Sequence, residues 1–238
     1  MLAGPPAAIT LQGLGLQRGG TWLFRGLDVA LPRGKFIAVT GPSGIGKSSL
    51  LACLAGMLKP TEGAITYCCA AGCDHGVTQF QPRIGMVFQN GLLSENSTLL
   101  ANVLCGRLSR YPWWRTLFGF PKRDRAEAYR WLGELGVARY AHRRVSEISG
   151  GEAQRTAVAR AFLQEPEVFL ADEPISQLDL PLAERVLQLL SLEAHVRGHT
   201  VLCVLHQPDL VEKYADAILG PDPANPGHWS LRSSSAVI

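Results

Sequence analysis

The stretch from Gly41 to Ser48 has the residue types and the spacing of a phosphate-binding loop. It reads GPSGIGKS and matches the pattern G-x-x-x-x-G-K-[ST] in full. An apolar run, FIAVT, precedes it and a helical pattern follows, so backbone N–H groups at a helix N-terminus would face the phosphates. The Lys-Ser pair that ends the motif disfavours a glycine-rich turn without function. The predicted binding residues are Gly41, Pro42, Ser43, Gly44, Ile45, Gly46, Lys47, Ser48 and Ser49.

Two of these residues have specific predicted roles. Lys47 would reach the β- and γ-phosphates of a nucleotide, and the Ser48 hydroxyl would ligate Mg²⁺.

Two carboxylates, Asp172 and Glu173, follow the apolar run VFLA directly, at a strand end where ligands bind in α/β proteins. Asp172 is predicted to hold the Mg²⁺, and Glu173 to orient or deprotonate an attacking water. Strand ends often carry solvated acids, so this prediction depends on the phosphate-binding loop in the same chain.

A second candidate anion site begins at Ser149. The sequence there reads SGGEAQR, and Ser149 is a predicted N-cap of the helix that follows. Gly150 and Gly151 would weaken a purely structural helix start, but they leave backbone N–H groups accessible to an anion. One phosphate-binding loop with two anion sites suggests that the second site serves the nucleotide of another copy of the chain.

Short apolar runs that alternate with helical patterns surround these motifs. The runs at 36–40, 84–88, 168–171 and 201–205 are predicted as buried strands of a parallel sheet, and 49–58 and 182–196 as helices. Strands that alternate with helices indicate an α/β domain. Helical patterning dominates the middle of the chain, and residues of about 90–160 are predicted to form a helical lobe inserted in the α/β core. Positions 107–144 hold ten Lys and Arg residues against three Asp and Glu, a local balance of +7.

Composition excludes several classes of protein. The chain has 238 residues, 47% of them hydrophobic, and a net charge of +3, which argues against a disordered protein, a fibrous protein or a nucleic-acid partner. No stretch is apolar for long enough to span a bilayer, and the first residues lack the pattern of a signal peptide. The six cysteines are therefore expected as free thiols in a reducing compartment. A zinc cluster of Cys68, Cys69, Cys73 and His75 is the disfavoured alternative, because the spacing lacks a Cys-x-x-Cys pair.

The phosphate-binding loop, ISGGEAQR, the strand acids and a later lone histidine together resemble the ATP-binding cassette (ABC) ATPases, over residues of about 9–220. The resemblance implies one domain, residues 1–238, with a P-loop NTPase core, a mainly parallel sheet and the inserted helical lobe. It also implies roles for three further residues. Gln89 would be the glutamine that senses Mg²⁺ and the membrane subunits, Asp179 the acid that crosses the dimer interface, and His206 the histidine that contacts the γ-phosphate.

In that family two such domains enclose two ATP molecules with Mg²⁺. The resemblance therefore implies that Ser149, Gly150 and Gly151 bind the γ-phosphate of ATP held by a second copy. It implies integral membrane permease subunits as partners and, indirectly, a periplasmic or surface substrate-binding protein, without a nucleic-acid partner. The expected location is the cytoplasmic face of the cell membrane, as a peripheral subunit.

Three phrases narrow the resemblance to the ATPase subunits of phosphonate importers: NVLCGRL at 102–108, WRTLFGFPKRDRAEA at 114–128 and LHQPDLVEKYADAILG at 205–220. The expected cargo is a phosphonate or a related oxyanion. The alternatives are an ABC ATPase for another cargo, such as phosphate import or lipoprotein or lipid export, and a soluble ABC ATPase without a transport role. A small-molecule kinase is disfavoured because such kinases lack ISGGEAQR.

Aromatic residues raise two further questions. The family usually places an adenine-stacking aromatic some 25 positions before the loop, where this chain has Leu16 and Gln17; Trp22 is the aromatic residue nearest to that position. A cluster of aromatics in the middle of the chain is predicted as a docking surface for a membrane subunit, with internal packing of the lobe as the alternative. The cluster consists of Tyr111, Trp113, Trp114, Phe118 and Phe120.

Overall fold

The computed structural model describes residues 7–68, 74–89, 91–116, 119–222 and 228–234. The chain forms two compact units. Unit 1 comprises Met1–Ile84, Glu167–Asp172 and Leu189–Ile238, and unit 2 comprises Gly85–Pro166 and Glu173–Gln188. The assignment of residues 1–238 to one domain with an inserted lobe stays a prediction.

The strands of the described residues are β1 (Ala7–Arg18), β2 (Thr21–Pro32), β3 (Phe36–Val39), β4 (Glu62–Cys68), β5 (Asp74–Gly76), β6 (Ile84–Val87), β7 (Val168–Ala171), β8 (Thr200–Val204), β9 (Ala217–Pro221) and β10 (Trp229–Ser233). The α-helices are α1 (Lys47–Leu54), α2 (Val77–Phe80), α3 (Leu99–Leu104), α4 (Trp113–Thr116), α5 (Lys122–Glu134), α6 (Gly150–Gln164), α7 (Leu180–His195) and α8 (Pro208–Tyr214). Short 3₁₀ helices lie at Gln81–Arg83, Cys105–Arg110, Ala138–Tyr140 and Val145–Glu147.

The parallel sheet of unit 1 has the strand order β10-β9-β3-β8-β7. Strand β3 pairs in parallel with β8 and β9, and β7 pairs in parallel with β8; only β10 is antiparallel to its neighbour here. All residues of β3, β7 and β8 are buried, which explains why they are continuous apolar runs without alternation. The predicted α/β class with a mainly parallel sheet is confirmed, and the predicted strands agree with the observed ones to within one residue.

A second sheet of unit 1 is antiparallel, with the order β2-β1-β4-β5. Its presence was not among the expectations from the sequence. Strand β1 carries irregular register shifts between Leu11 and Leu14 and between Leu14 and Leu16, and glycines interrupt its alternation. These irregularities hide the period of two residues by which a strand with one buried face is normally detected.

The predicted helices are present with shifted ends. Helix α1 begins at Lys47, two residues before the predicted start, because Gly46 is its N-cap. It ends near Gly56, whose φ of +70° is a left-handed conformation that terminates helices. Helix α7 likewise starts at Leu180, before the predicted 182.

Helices dominate unit 2, and no strand lies between β6 and β7 within the described residues. Trp131 on α5 stacks on Phe162 of α6, with ring centroids 4.6 Å apart. Arg107, only 2% exposed, lies within ion-pair distance of three carboxylates, those of Asp124, Glu127 and Glu165. This cluster ties the 3₁₀ helix after α3 to α5 and to the C-terminal end of α6.

The structure also bears on the candidate zinc cluster, on the cysteines and on membrane-spanning helices. Cys68 ends β4 and His75 lies in β5, whereas Cys69 and Cys73 lie outside the described residues; within the described part, no group of three or more His, Cys, Asp or Glu residues is arranged to hold a metal ion. Among the described cysteines, Cys53, Cys105 and Cys203 are free thiols. None of the helices in the described ranges is long and apolar enough to cross a membrane.

Candidate functional site

The phosphate-binding loop is built by a buried strand and a sharp glycine turn. Strand β3 ends at Val39, and the chain passes through the loop into α1 with Gly46 as N-cap at φ +104°. A side chain at Gly46 would be strained in this conformation, and its Cβ would lie 3.1 Å from the Cβ of Leu23. No side chain caps α1 at Gly46, and its first turn holds no acidic residue. The positive end of the helix dipole is therefore directed at the loop.

Lys47 is held inside this loop. Its side chain is largely buried, and Nζ donates hydrogen bonds to the carbonyl oxygens of Gly41 at 2.8 Å and Pro42 at 2.9 Å. Pro42, Ser43 and Gly44 are exposed at the tip of the loop. The ammonium group is thus positioned by backbone carbonyls on the concave side of an exposed turn, as a phosphate contact requires.

Ser48 and Asp172 meet at the same end of the sheet. The Ser48 hydroxyl donates to Oδ1 of Asp172 at 3.1 Å. Asp172 follows β7 and is 6% exposed, and His206 is exposed shortly after the end of β8. Because β3, β8 and β7 are adjacent and parallel, unit 1 brings the loop, His206 and Asp172 to one edge of its sheet.

A hydroxyl and a carboxylate oxygen at this distance form a donor set suited to Mg²⁺. Hard oxygen ligands are what Mg²⁺ prefers, and it is held in proteins by one or two such groups with phosphate oxygens and water. The residues present therefore fit the ion.

Glu173 belongs to a different cluster, in unit 2. Nε2 of Gln89 donates to its carboxylate oxygen Oε2 at 3.1 Å, so the structure brings these two predicted residues together. The backbone of Glu173 has a φ of +49°, which is rare for a residue with a side chain. Conformations of this kind cost about 1–3 kcal/mol and are concentrated at functional sites.

Two side chains hold the strained backbone, and the sequence did not single them out. The Ser176 hydroxyl donates to the Glu173 carbonyl oxygen at 3.1 Å, and the buried Gln154 approaches the same oxygen at 3.4 Å. A signal for Ser176 exists in the sequence, because a serine hydroxyl commonly bonds to the carbonyl oxygen of the residue three positions earlier, here Glu173. Gln154 carries no such signal, because its contact depends on tertiary packing.

The start of α6 agrees with the predicted N-cap at Ser149. The backbone N–H of Glu152 donates to the Ser149 hydroxyl, while the N–H of Ser149 donates to Glu152, a reciprocal capping box. The hydrogen bond from the Ser149 backbone lowers the pKa of Glu152. The helix N-terminus thus already has a carboxylate beside it.

Gly150 and Gly151 are glycines for a reason that the sequence did not reveal. A Cβ on Gly150 would lie 2.3 Å from Oε1 of Gln177, and a Cβ on Gly151 would lie 2.9 Å from the carbonyl oxygen of Gln177. The segment after Glu173 therefore packs on the start of α6. Gln89, Gly150, Ala153, Gln154 and Gln177 line a cleft of about 150 Å³ there.

Asp179 belongs neither to the cluster of Ser48 and Asp172 nor to that of Gln89 and Glu173. Its Oδ1 accepts a hydrogen bond from the N–H of Leu182 at 3.3 Å, and its carbonyl accepts from Ala183, so it caps α7.

Trp22 lies directly opposite Gln17 in the pairing of β1 with β2, and the Arg25 guanidinium lies 4.5 Å above its ring. One of the two expected adenine-stacking positions is thus the cross-strand neighbour of Trp22.

Comparisons with known proteins identify the family of the chain. The family described as ABC transporter matches residues 24–176, more than half of the chain. The structure resembles a dimeric ATP-binding cassette in a post-hydrolysis state bound to ADP and phosphate, with a TM-score of 0.82 and 25% identity, over 96% of this chain and all of that one. The chain belongs to the ABC transporter family, and it is an ATP-binding ATPase. The predicted family, fold class and enzyme class are confirmed.

Within this family the similar relatives share a description. The phosphonates import ATP-binding protein of Trichormus variabilis is 40% identical over 78% of this chain and 76% of its own length. A phosphonates import ATP-binding protein of Rhodopseudomonas palustris is 39% identical over 89% of this chain and 80% of its own. The phosphite import ATP-binding protein of Stutzerimonas stutzeri is 38% identical over 85% and 74%.

Proposed function

We propose that this chain is the ATP-hydrolysing subunit of an importer for phosphonates or related phosphorus oxyanions. The observation that carries the hydrolytic part is the strained Glu173, whose carboxylate accepts a hydrogen bond from Gln89. The cargo rests on the relatives, which are described as phosphonate and phosphite import proteins.

The first cluster binds the triphosphate. The loop from Gly41 to Ser49 surrounds the phosphates with backbone N–H groups, and Lys47 releases the loop carbonyls to contact the β- and γ-phosphates. Ser48 and Asp172 would hold Mg²⁺, and Gln89 would be a further ligand. When bound, the ion would neutralise negative charge on the phosphates of ATP.

The second cluster carries hydrolysis. The oxygen of a water molecule attacks the γ-phosphorus, the bond from that phosphorus to the β–γ bridging oxygen breaks, and Glu173 accepts a proton of the water. Gln89 orients the Glu173 carboxylate. His206, from the first cluster, donates a hydrogen bond to the γ-phosphate. The products are ADP and inorganic phosphate.

A second copy completes each site. Ser149, Gly150 and Gly151 of one copy bind the γ-phosphate of ATP held by the other, and Asp179 lies at the interface between copies. The Ser149 hydroxyl must then turn from Glu152 to the phosphate, because both accept the same proton. A mixed dimer of Lys47→Ala and Ser149→Arg chains tests the sharing, since it should keep one intact composite site and half of the activity. Complete inactivity would mean that Lys47 and Ser149 of the same chain act on one ATP, which would contradict the sharing.

The remaining partners follow from the importer assignment. The chain assembles with integral membrane permease subunits at the cytoplasmic face of the membrane, and a periplasmic or surface binding protein delivers the cargo to them. The helical lobe of residues about 90–160, within one domain of residues 1–238, contacts the permease.

Growth and ATPase measurements together test the cargo. Deletion of the gene should abolish growth on a phosphonate as sole phosphorus source while growth on phosphate continues. The phosphonate-loaded binding protein should stimulate the ATPase of the reconstituted complex, whereas the unloaded protein should not. Undiminished growth on phosphonates, with stimulation only by another loaded binding protein, would overturn the cargo and leave the ATPase mechanism in place.

A further inference from the structure

Two neighbouring tryptophans of unit 2 are exposed on a short helix. Trp113 and Trp114 begin α4, with 76% and 55% of their surfaces exposed. By contrast, Trp131 and Trp229 are buried at 3% and 9% exposure. An exposed pair of large aromatic rings is costly in water, so it indicates an interaction surface.

Between positions 112 and 125, the exposed cations are not balanced by an exposed acid. Arg115, Lys122, Arg123 and Arg125 are all exposed. The one acidic residue between positions 112 and 125 is Asp124, which is 6% exposed and accepts a hydrogen bond from the Tyr111 hydroxyl at 2.6 Å. Its charge is directed into the unit, toward Arg107. The exposed charge of this segment is therefore entirely positive.

Two of these cations lie at positions where a positive charge is unfavourable for the stability of the fold. Lys122 and Arg123 occupy the first turn of α5, at the positive end of the helix dipole, where acidic residues are favoured. Their position has an energetic cost within the folded chain, and an anionic partner would remove that cost.

Tyr111 links α4 to the start of α5. Its ring contacts Phe120 edge-on at 6.5 Å and lies 5.5 Å from the Arg115 guanidinium, while its hydroxyl bonds to Asp124 on α5. Helix α4 is thereby held beside the first turn of α5. We call the exposed residues of these two linked segments the basic aromatic patch, which consists of Trp113, Trp114, Arg115, Lys122, Arg123 and Arg125.

We propose that the basic aromatic patch binds the anionic surface of a lipid bilayer, with the Trp113 and Trp114 rings at the level of the headgroups and the cations against lipid phosphates. Tryptophan is enriched at membrane–water interfaces because its ring is apolar and its N–H is polar. Basic residues close to an anionic leaflet gain free energy from its negative potential. Flat exposed rings surrounded by charges of one sign match a lipid surface better than a protein groove, which would require acids and hydrogen-bonding groups in defined positions.

Sedimentation with vesicles tests the proposal on the full chain. The protein should bind vesicles of phosphatidylglycerol and phosphatidylcholine, bind pure phosphatidylcholine vesicles much more weakly, and dissociate as salt is added. Removing cations with Arg115→Gln and Lys122→Gln should weaken binding about fivefold each. The matched control is Arg139→Gln with Arg143→Gln, two exposed cations of unit 2 that lie against Tyr140 outside the patch.

Fluorescence supplies a second readout that does not depend on charge. Brominated lipids in the anionic vesicles should quench the tryptophan emission, and the double variant Trp113→Phe, Trp114→Phe should abolish most of the quenching. Unchanged thermal unfolding of each variant shows that the fold is intact, as expected for exposed positions.

The outcomes separate lipid binding from the alternatives. Equal binding to neutral and anionic vesicles, or equal losses in the patch and control variants, would overturn the proposal. If no vesicles are bound while the patch variants lower the activity of the permease complex, the patch binds a protein and the proposal is also wrong. The lipid assay uses no nucleotide, so its failure leaves the proposed ATPase function intact, and a failure of that function leaves lipid binding intact.

Discussion

The two glycine-rich segments of this chain lie at the N-terminal ends of helices that carry candidate anion sites, but they are glycine-rich for different reasons. In the phosphate-binding loop, Gly41 and Gly46 have φ values of +137° and +104°, so the backbone itself requires glycine. Gly150 and Gly151 lie in the first turn of α6, and what they require is the absence of a Cβ, because Gln177 packs against them. The first requirement is local and the second is tertiary. Pattern matching therefore detects the loop directly, but it does not detect the packing of Gln177.

The largest stability effect is expected at the loop. Gly46→Ala forces a side chain into a left-handed conformation and against Leu23, and we expect it to lower the free energy of unfolding by about 2–3 kcal/mol. Thermal or urea unfolding measures this loss. A change below about 0.5 kcal/mol would mean that the loop backbone adapts, and that the distinction between local and tertiary requirements does not hold.

A smaller effect is expected at the second segment, and its two glycines should differ. At Gly151 the new methyl group would meet the backbone carbonyl of Gln177, which does not move easily, so Gly151→Ala should cost about 1–2 kcal/mol. At Gly150 it would meet the end of the flexible Gln177 side chain, and the better helix propensity of alanine offsets the displacement. Gly150→Ala should therefore be close to neutral. Equal losses in the two variants would contradict the packing argument.

At the C-terminal end of α6, we expect a change in the free energy of unfolding that is of similar size and depends on pH. Burial alone would raise the pKa of Glu165, but hydrogen bonds from Arg107 and Arg110 lower it from an ordinary 4.5 to about 2. A lowered pKa in the folded state stabilises the protein above pH 4.5, and this contribution disappears as the pH falls toward 2. Because Glu165 is partly exposed, we expect Glu165→Gln to cost about 1 kcal/mol at neutral pH.

Unfolding by urea across the acidic range measures this difference. The gap between the unsubstituted chain and Glu165→Gln should close as the pH is lowered through this window. Glu134→Gln, which removes an exposed ion pair with Arg185, is the matched control and should have little effect at any pH. A gap that is independent of pH would show that the carboxylate charge of Glu165 does not stabilise the lobe.

The smallest effect is expected for adenine recognition. Trp22 is opposite Gln17, but the Arg25 guanidinium covers one face of its ring, and Arg25 itself is paired with Glu62. Base stacking on a side chain is worth about 1–3 kcal/mol, so a Trp22→Ala loss of less than about fivefold in ATP affinity would show that phosphates dominate binding. We expect this small loss, together with modest discrimination between ATP and GTP. A larger loss would make Trp22 the adenine platform.

Much of the fold was predictable because the decisive signals are local. The buried strands β3, β7 and β8 are continuous apolar runs, and the loop between β3 and α1 is defined by its glycines and its lysine. The antiparallel sheet of β1, β2, β4 and β5 was missed because its register shifts break the alternation of β1.

The candidate site likewise has features that the sequence predicts and features that it does not. Asp172 and Glu173 were identified by their position at a strand end, and the hydrogen bonds from Ser48 and Gln89 bring those residues to them. The positive φ of Glu173 and the hydrogen bond to its carbonyl from Gln154 were not predictable. The contact from Gln154 arises from packing of α6, which no spacing in the sequence encodes, whereas the contact from Ser176 is local.

The central claim is that binding and hydrolysis belong to different clusters, one around Lys47 and one around Glu173. The most direct test compares nucleotide affinity and turnover in Glu173→Gln and in Lys47→Ala. Glu173→Gln should bind ATP normally and accumulate as an ATP-bound dimer, while turnover falls by about 10²-fold or more because the proposed general base is lost. Lys47→Ala should lose ATP affinity first. Turnover near that of the unsubstituted chain in Glu173→Gln, or a loss of ATP binding in that variant, would contradict the division.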